Sequence, residues 1–241
     1  MSAASNADRR PNALEVERLS VRLGTVEVLR DLSFHVPRAS SLAVIGPNGA
    51  GKTVLFRALA GSIPYAGRVS WAPGTKLGYV PQRLDLERDL PVTGRDLLRA
   101  KAAMVQASRA MVSEALARVG LDEPSTRAPI GALSGGQFQR LLIAFALVGN
   151  RNVLLLDEPA AGIDAPGQQQ LNQLLVKLEQ EQEMTIIFIS HDLTVVSQYA
   201  TNVLCLSRSY HCFGPPKTAL VPEVLDRLYG MPVGFHVHNA R

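Results

Sequence analysis

From Leu14 to about Pro37, apolar and β-branched residues alternate with polar ones around turn signals at Gly24 and Asp31. That period-two pattern predicts antiparallel strands. Ser41–Ile45 is instead an unbroken apolar run, as a strand buried on both faces requires. Val54–Ala60 has apolar residues at helical spacing and stops at Gly61, and Arg68–Ser70 and Leu77–Val80 read as short strands. Between about Arg83 and Ala146 the period becomes helical, with Arg- and Ala-rich faces. One helix opens at Thr93 in a capping box with Asp96, and another ends near Gly120. The strand signal returns at Val153–Leu156, Thr185–Ser190 and Asn202–Leu206, with a helix carrying Leu171, Leu174, Leu175 and Leu178 on one face between the first two. Short apolar strands alternating with helices predict an α/β fold with a mainly parallel sheet, an antiparallel β part and an inserted helical block.

The expected organisation is a leader over 1–12 and one domain over 13–230, with a tail over 216–241. Within the domain the core is 13–82 and 147–215, and the helical subdomain is 83–146. At 241 residues the chain suits a core with an insertion better than two domains. A composition of 46% hydrophobic and 19% charged residues is that of a folded protein. The net charge of +4 is spread without a polybasic tract, so nucleic acid is not an expected partner. Cys205 and Cys212 are the only cysteines, too few and too close for a disulfide framework, which points to the cytosol. The longest apolar run, Leu141–Val148, is far short of the roughly 20 residues of a membrane span.

Three motifs carry the chemistry. Gly46, Pro47, Asn48, Gly49, Ala50, Gly51, Lys52 and Thr53 form a complete Gly-x-x-x-x-Gly-Lys-Thr loop between a strand and a helix. Its glycines let backbone N–H groups turn inward around phosphate oxygens, and the helix adds its positive dipole end. Lys52 is expected to reach the β- and γ-phosphates and Thr53 to sit on Mg²⁺. Val153–Asp157 is an apolar strand ending in an acid, which places Asp157 to hold Mg²⁺. Glu158, one residue on, is placed to orient or deprotonate an attacking water. Third, Leu133-Ser134-Gly135-Gly136-Gln137-Phe138-Gln139-Arg140 begins a helix. A capping box explains Ser134 and Gln137 but not two glycines in the first turn, each costing about 1 kcal/mol of helix stability. Glycines there permit close approach of an anion, which makes sense if two chains pair head to tail.

With these motifs the chain resembles the ATP-binding cassette family. Leu133–Arg140 matches its signature sequence; Val80-Pro81-Gln82 resembles its Q-loop, Ala161–Asp164 its D-loop and Ile189–Asp192 its switch histidine. The likeness covers roughly residues 14–215. It implies a P-loop (RecA-like) ATPase fold that binds ATP with Mg²⁺ and closes as a dimer around two nucleotides. On this chain it implies that Gln82 senses Mg²⁺ and water and links the site to the helical insertion. His191 would hold the γ-phosphate, and Ser134, Gly135, Gly136 and Gln137 would grip it from the second copy.

Three positions depart from the family pattern. Leu23 stands where an aromatic residue usually stacks on adenine. Val54 replaces a threonine that touches the α-phosphate, and Ala39-Ser40 replaces a Gly-Glu dipeptide. These imply weaker or less base-selective nucleotide binding with hydrolysis retained. Leu77–Arg83, Asp85, Leu86 and Asp89–Thr93 are similar to zinc and manganese importer ATPases, and Asn202–Gly214 resembles the zinc branch. The resemblance implies a detached ATPase at the cytoplasmic face of the membrane, driving metal-ion import through a multi-span permease fed by a metal-binding extracytoplasmic protein. Two other readings are a non-transport cassette ATPase in iron–sulfur assembly, repair or translation, and a regulatory module that does not hydrolyse ATP. His236 and His238 could bind metal, although a His-x-His pair this short reads first as a solvated tail.

Overall fold

The alternating N-terminal stretch folds as a long antiparallel hairpin, β1 (Asn12–Leu23) and β2 (Val26–Pro37), with its apolar positions inward. A computed structural model of the chain describes residues 10–82, 91–208 and 210–230. The unbroken apolar run is β3 (Ser41–Ile45), buried at every residue, and it leads into α1 (Lys52–Leu59). Next come β4 (Ala66–Trp71) and β5 (Leu77–Val80). The helical block holds α2 (Gly94–Val105), α3 (Arg109–Arg118), two 3-10 turns and α4 (Gly135–Leu147). Then β6 (Val153–Asp157), α5 (Ala165–Gln180), β7 (Thr185–Ile189), α6 (Leu193–Tyr199), β8 (Asn202–Leu206) and β9 (His211–Gly214) complete the alternation.

These strands form two sheets. A three-stranded antiparallel sheet has the order β2-β1-β4, and a six-stranded sheet has the order β5-β6-β7-β3-β8-β9. In the larger sheet β5 to β8 run parallel and only β9 is antiparallel. Successive residues face opposite layers, as strand geometry demands. Ala43 and Ile45 pack with α4, α5 and the C-terminal helices, whereas Leu42 and Val44 pack with α1 and the antiparallel sheet. One register matters most for function. β6 and β7 end together at the Asp157–Ile189 pair, Val80 of β5 pairs Leu156, and β3 ends beside them at Ile45. The residues that follow four neighbouring strands therefore emerge at one edge, the usual location of ligands in such sheets.

Local signals hold where capping chemistry is strong. Thr93 caps α2 in a reciprocal box with Asp96, and Ser134 caps α4 in one with Gln137. The stretch from residue 216 carries α7 (Pro216–Ala219) and α8 (Pro222–Tyr229), whose Ala219, Leu225 and Leu228 are buried in the core. His236 and His238, the leader over residues 1–9, and Arg83, Asp85, Leu86 and Asp89 lie outside the described residues.

The cysteines require a correction. Cys205 of β8 and Cys212 of β9 are directly opposed in register, 4.9 Å apart at Cα, and are joined by a disulfide. Their short separation in sequence, taken as an obstacle, is what a tight hairpin needs to bring them face to face. The cytosolic expectation accordingly loses the support it drew from cysteine usage.

Candidate active site

The phosphate loop begins where β3 ends. Gly46 has φ +148°, and a Cβ there would lie 1.9 Å from the Leu206 carbonyl oxygen. Gly51 has φ +95°, and a Cβ would meet Val28 and Leu29 side chains at 2.9 and 2.8 Å. Both glycines are thus demanded by this chain's own packing. Gly51 is the N-cap of α1 and supplies no side-chain cap, so the first N–H groups of the helix are left for a ligand. Pro47 accepts a turn hydrogen bond from Ala50, leaving Asn48 and the φ-positive Gly49 at the exposed crest. The Lys52 ammonium turns back on the loop, donating to the Gly46 and Pro47 carbonyls at 2.8 and 3.1 Å. Burial lowers its pKa, and the carboxylates of Glu158 and Asp157 oppose that shift.

Asp157 lies at the end of β6, 1% exposed, and neither carboxylate oxygen closes an ordinary hydrogen bond. Burial raises its pKa, the nearby Thr53 hydroxyl and Lys52 offset part of this, and Glu158 adds to it. Two orphaned buried carboxylate oxygens beside a hydroxyl form the hard-oxygen donor set a divalent cation takes. Asp157 and Thr53 therefore fit Mg²⁺. Tyr79 of β5, which the motifs did not single out, lies close enough to Asp157 for the two to interact; burial and that carboxylate push its hydroxyl up to about 12. Its ring packs edge-on against Phe56.

Glu158 adopts φ +50°, a left-handed conformation costing a non-glycine residue about 1–2 kcal/mol. Both of its oxygens are engaged. Oε1 lies 2.7 Å from His191 Nε2, and Oε2 accepts from Gln82 Nε2 at 2.6 Å. Because a carboxylate only accepts, Nε2 of His191 carries the proton. His191 is 43% exposed and Glu158 19%, so solvent reaches the pair. The expected group of Lys52, Thr53, Gln82, Asp157, Glu158 and His191 thus assembles at one sheet edge. The path from Gln82 toward the helical insertion runs through residues outside those described.

The third motif stands apart. The Ser134 hydroxyl accepts from the Gln137 N–H at 3.2 Å, and Gln137 Oε1 accepts from the Ser134 N–H at 3.0 Å. Among the described residues no hydrogen bond joins Ser134–Gln137 to residues 46–53. A Cβ at Gly135 would touch the Gly162 carbonyl at 3.5 Å, and one at Gly136 would touch Gly167 at 3.8 Å, both ordinary contacts. Among the described residues, no contact requires these glycines.

At the edge of the site, Val28 and Leu29 hold β2 against Gly51, which puts the hairpin tip just beyond the loop. Leu23, where the resemblance leads one to expect an aromatic ring, pairs Val26 there, the two being 42% and 61% exposed. Val54 turns into the core below. Ala39 adopts φ +49°, a conformation that the glycine it replaces would take freely.

The family described as ABC transporter matches residues 29–161. The chain is 41% identical to the zinc import ATP-binding protein ZnuC of Cereibacter sphaeroides, over 90% of this chain and 88% of the relative. It is 35% identical to the zinc import ATP-binding protein ZnuC of Yersinia pestis, covering 96% and 92% of the two chains. Among solved structures, an ABC transporter in an inward-facing conformation superposes with a TM-score of 0.83 at 28% identity, over 92% of this chain and 90% of that one. CbiO1 of Clostridium perfringens, part of the ABC transporter complex cbiONQ, gives 0.75 at 28% identity, over 90% and 93%. No helix among the described residues is long and apolar enough to cross a membrane. Matched over more than half its length by the family and 41% identical to one of its ATP-binding proteins, the chain belongs to the ABC transporter family, as one of its ATP-binding ATPases.

Proposed function

We propose that this chain hydrolyses ATP to power uptake of a divalent metal ion, zinc first and manganese second, through a separate multi-span permease. The reading places it on the cytoplasmic face of the membrane, with a metal-binding extracytoplasmic protein upstream. Its main support is 41% identity, across nearly the whole chain, to a relative named for zinc import. The assembled Gln82–Glu158–His191 group supports hydrolysis over a purely regulatory role.

The geometry suggests how the residues act. Lys52 exchanges the Gly46 and Pro47 carbonyls for the β- and γ-phosphates, while the uncapped N–H groups of α1 bind phosphate oxygens. Thr53 and Asp157, joined by Gln82 on its release from Glu158, would hold Mg²⁺, which when bound neutralises charge on the phosphates. Glu158, released from Gln82, takes the proton of the attacking water, and His191 Nε2–H turns to the γ-phosphate. Ser134, Gly135, Gly136 and Gln137 of a second copy complete the site. This is supported by two glycines that no packing contact among the described residues requires, at a helix start where an outside anion finds N–H donors.

Glu158→Gln tests the reading. Turnover is expected to fall at least about 100-fold with ATP binding retained, and ATP is expected to trap a dimer on gel filtration. Unchanged turnover would remove Glu158 from its role. Restoration of zinc uptake in a deletion strain by the wild type but not by the variant tests the transport half.

A further inference from the structure

We propose that Cys205 and Cys212 form a reversible thiol–disulfide site that sets how firmly one wall of the phosphate loop is held. The two cysteines are register partners on an antiparallel pair, and their 4.9 Å Cα separation lies within the range disulfides occupy. The hairpin presents them together whether or not the bond is made. Its turn is closed independently, by the Ser207 N–H donating to the Tyr210 carbonyl at 2.8 Å and the Tyr210 N–H donating to the Ser207 hydroxyl. The pair is asymmetric. Cys205 is fully buried, whereas Cys212 lies half-buried on the strand at the sheet's edge.

Oxidation then has a defined order, with a small disulfide such as oxidised glutathione as oxidant. The Cys212 thiolate attacks one sulfur of the oxidant, forming a mixed disulfide and expelling one thiolate. The Cys205 thiolate displaces the second. Two protein thiols are oxidised, one small disulfide is reduced to two thiols, and the protein's two protons pass to those thiols.

The hairpin touches the phosphate loop by two routes. One residue beyond Cys205, the Leu206 carbonyl occupies the space against Gly46 where no Cβ fits. One residue beyond Cys212, the Phe213 ring packs on Phe34 and His35 of β2, the strand whose Val28 and Leu29 bear on Gly51. A covalent tie between β8 and β9 therefore restrains both ends of the loop, and pre-organising a binding loop tightens its ligand.

The test uses the full chain and counts thiols by maleimide labelling and mass. Two thiols are expected after reduction and none after exposure to oxidised glutathione, with no adduct retained and full return in dithiothreitol. Cys205→Ser should hold one glutathione and Cys212→Ser none. Two thiols that persist in the oxidant, or the reverse pattern in the variants, would overturn the site. The coupling rests on the phosphate-loop reading and has its own measurement. Oxidised wild type should show a KM for ATP at least about twofold below that of the reduced form, with no redox dependence in Cys212→Ser. Reversible thiol chemistry with an unchanged KM would overturn the coupling alone. Absence of ATPase activity in both redox states would instead fail the enzymatic reading and leave the thiol count standing.

Discussion

Two glycine-bearing helix starts bracket the chemistry of this chain, and they differ in what their glycines are for. At α1, Gly46 and Gly51 sit in conformations and spaces that exclude a side chain, and no side chain caps the helix. At α4, Gly135 and Gly136 have ordinary room around them, and the helix is closed by its own Ser134–Gln137 box. The first start is shaped by its own protein and open toward a ligand. The second is self-sufficient as a fold, so its glycines answer to something that arrives from outside.

Substitution separates the two cases. Gly46→Ala, which forces a Cβ onto the Leu206 backbone, is expected to abolish ATP binding and cost about 3 kcal/mol of stability, read by denaturant unfolding. Gly135→Ala should leave stability unchanged or raise it by up to about 1 kcal/mol, since alanine is the better helix former. Its turnover at saturating ATP should nevertheless fall about tenfold or more, because a methyl group displaces the approaching phosphate. Full activity in a stable Gly135→Ala protein would dissolve the contrast.

A third variant probes the rim of the first site. Leu23→Tyr supplies a ring at the hairpin tip and should tighten ATP by about 0.5–1.5 kcal/mol, roughly two- to tenfold by titration. No gain would mean that the base does not lie on this tip.

The smallest effect is one of pH. The folded-state pKa of Asp157 is raised above its ordinary value of 3.8. In the ligand-free chain its contribution to stability is therefore present below that value and is lost as pH rises through the raised folded pKa. Binding a divalent cation needs the carboxylate, so thermal stabilisation by Mg²⁺ with ATP should grow with pH across that window. Asp157→Asn should flatten this dependence, as measured by melting temperature.

What the sequence made legible was mostly local or periodic. The boxes at Thr93 and Ser134 need four consecutive residues, and both form. The strand runs at Leu42–Ile45 and Val153–Leu156 are uniformly apolar and uniformly buried. What escaped depends on register between distant segments. Gln82, Glu158 and His191 were expected in one site, but that both Glu158 oxygens are engaged by the other two follows from β5, β6 and β7 ending in step, a fact spread over more than a hundred residues. Tyr79 comes within electrostatic reach of Asp157 the same way. The cysteine pair was misjudged because the turn between β8 and β9 lacks the glycine-rich signal of a tight hairpin. The left-handed conformations of Ala39 and Glu158 are likewise invisible in composition, since tertiary packing imposes them.

The two hydrogen bonds around Glu158 come from segments that follow different strands, so freeing the whole carboxylate from them takes two separations. Gln82 follows β5 and His191 follows β7, so a movement of either segment alone frees one oxygen only. If each partner let go independently about a tenth of the time, the carboxylate would be wholly free only about a hundredth of the time. Stray opening of either segment would then leave bound nucleotide intact. An idle copy, waiting without cargo, would burn little fuel.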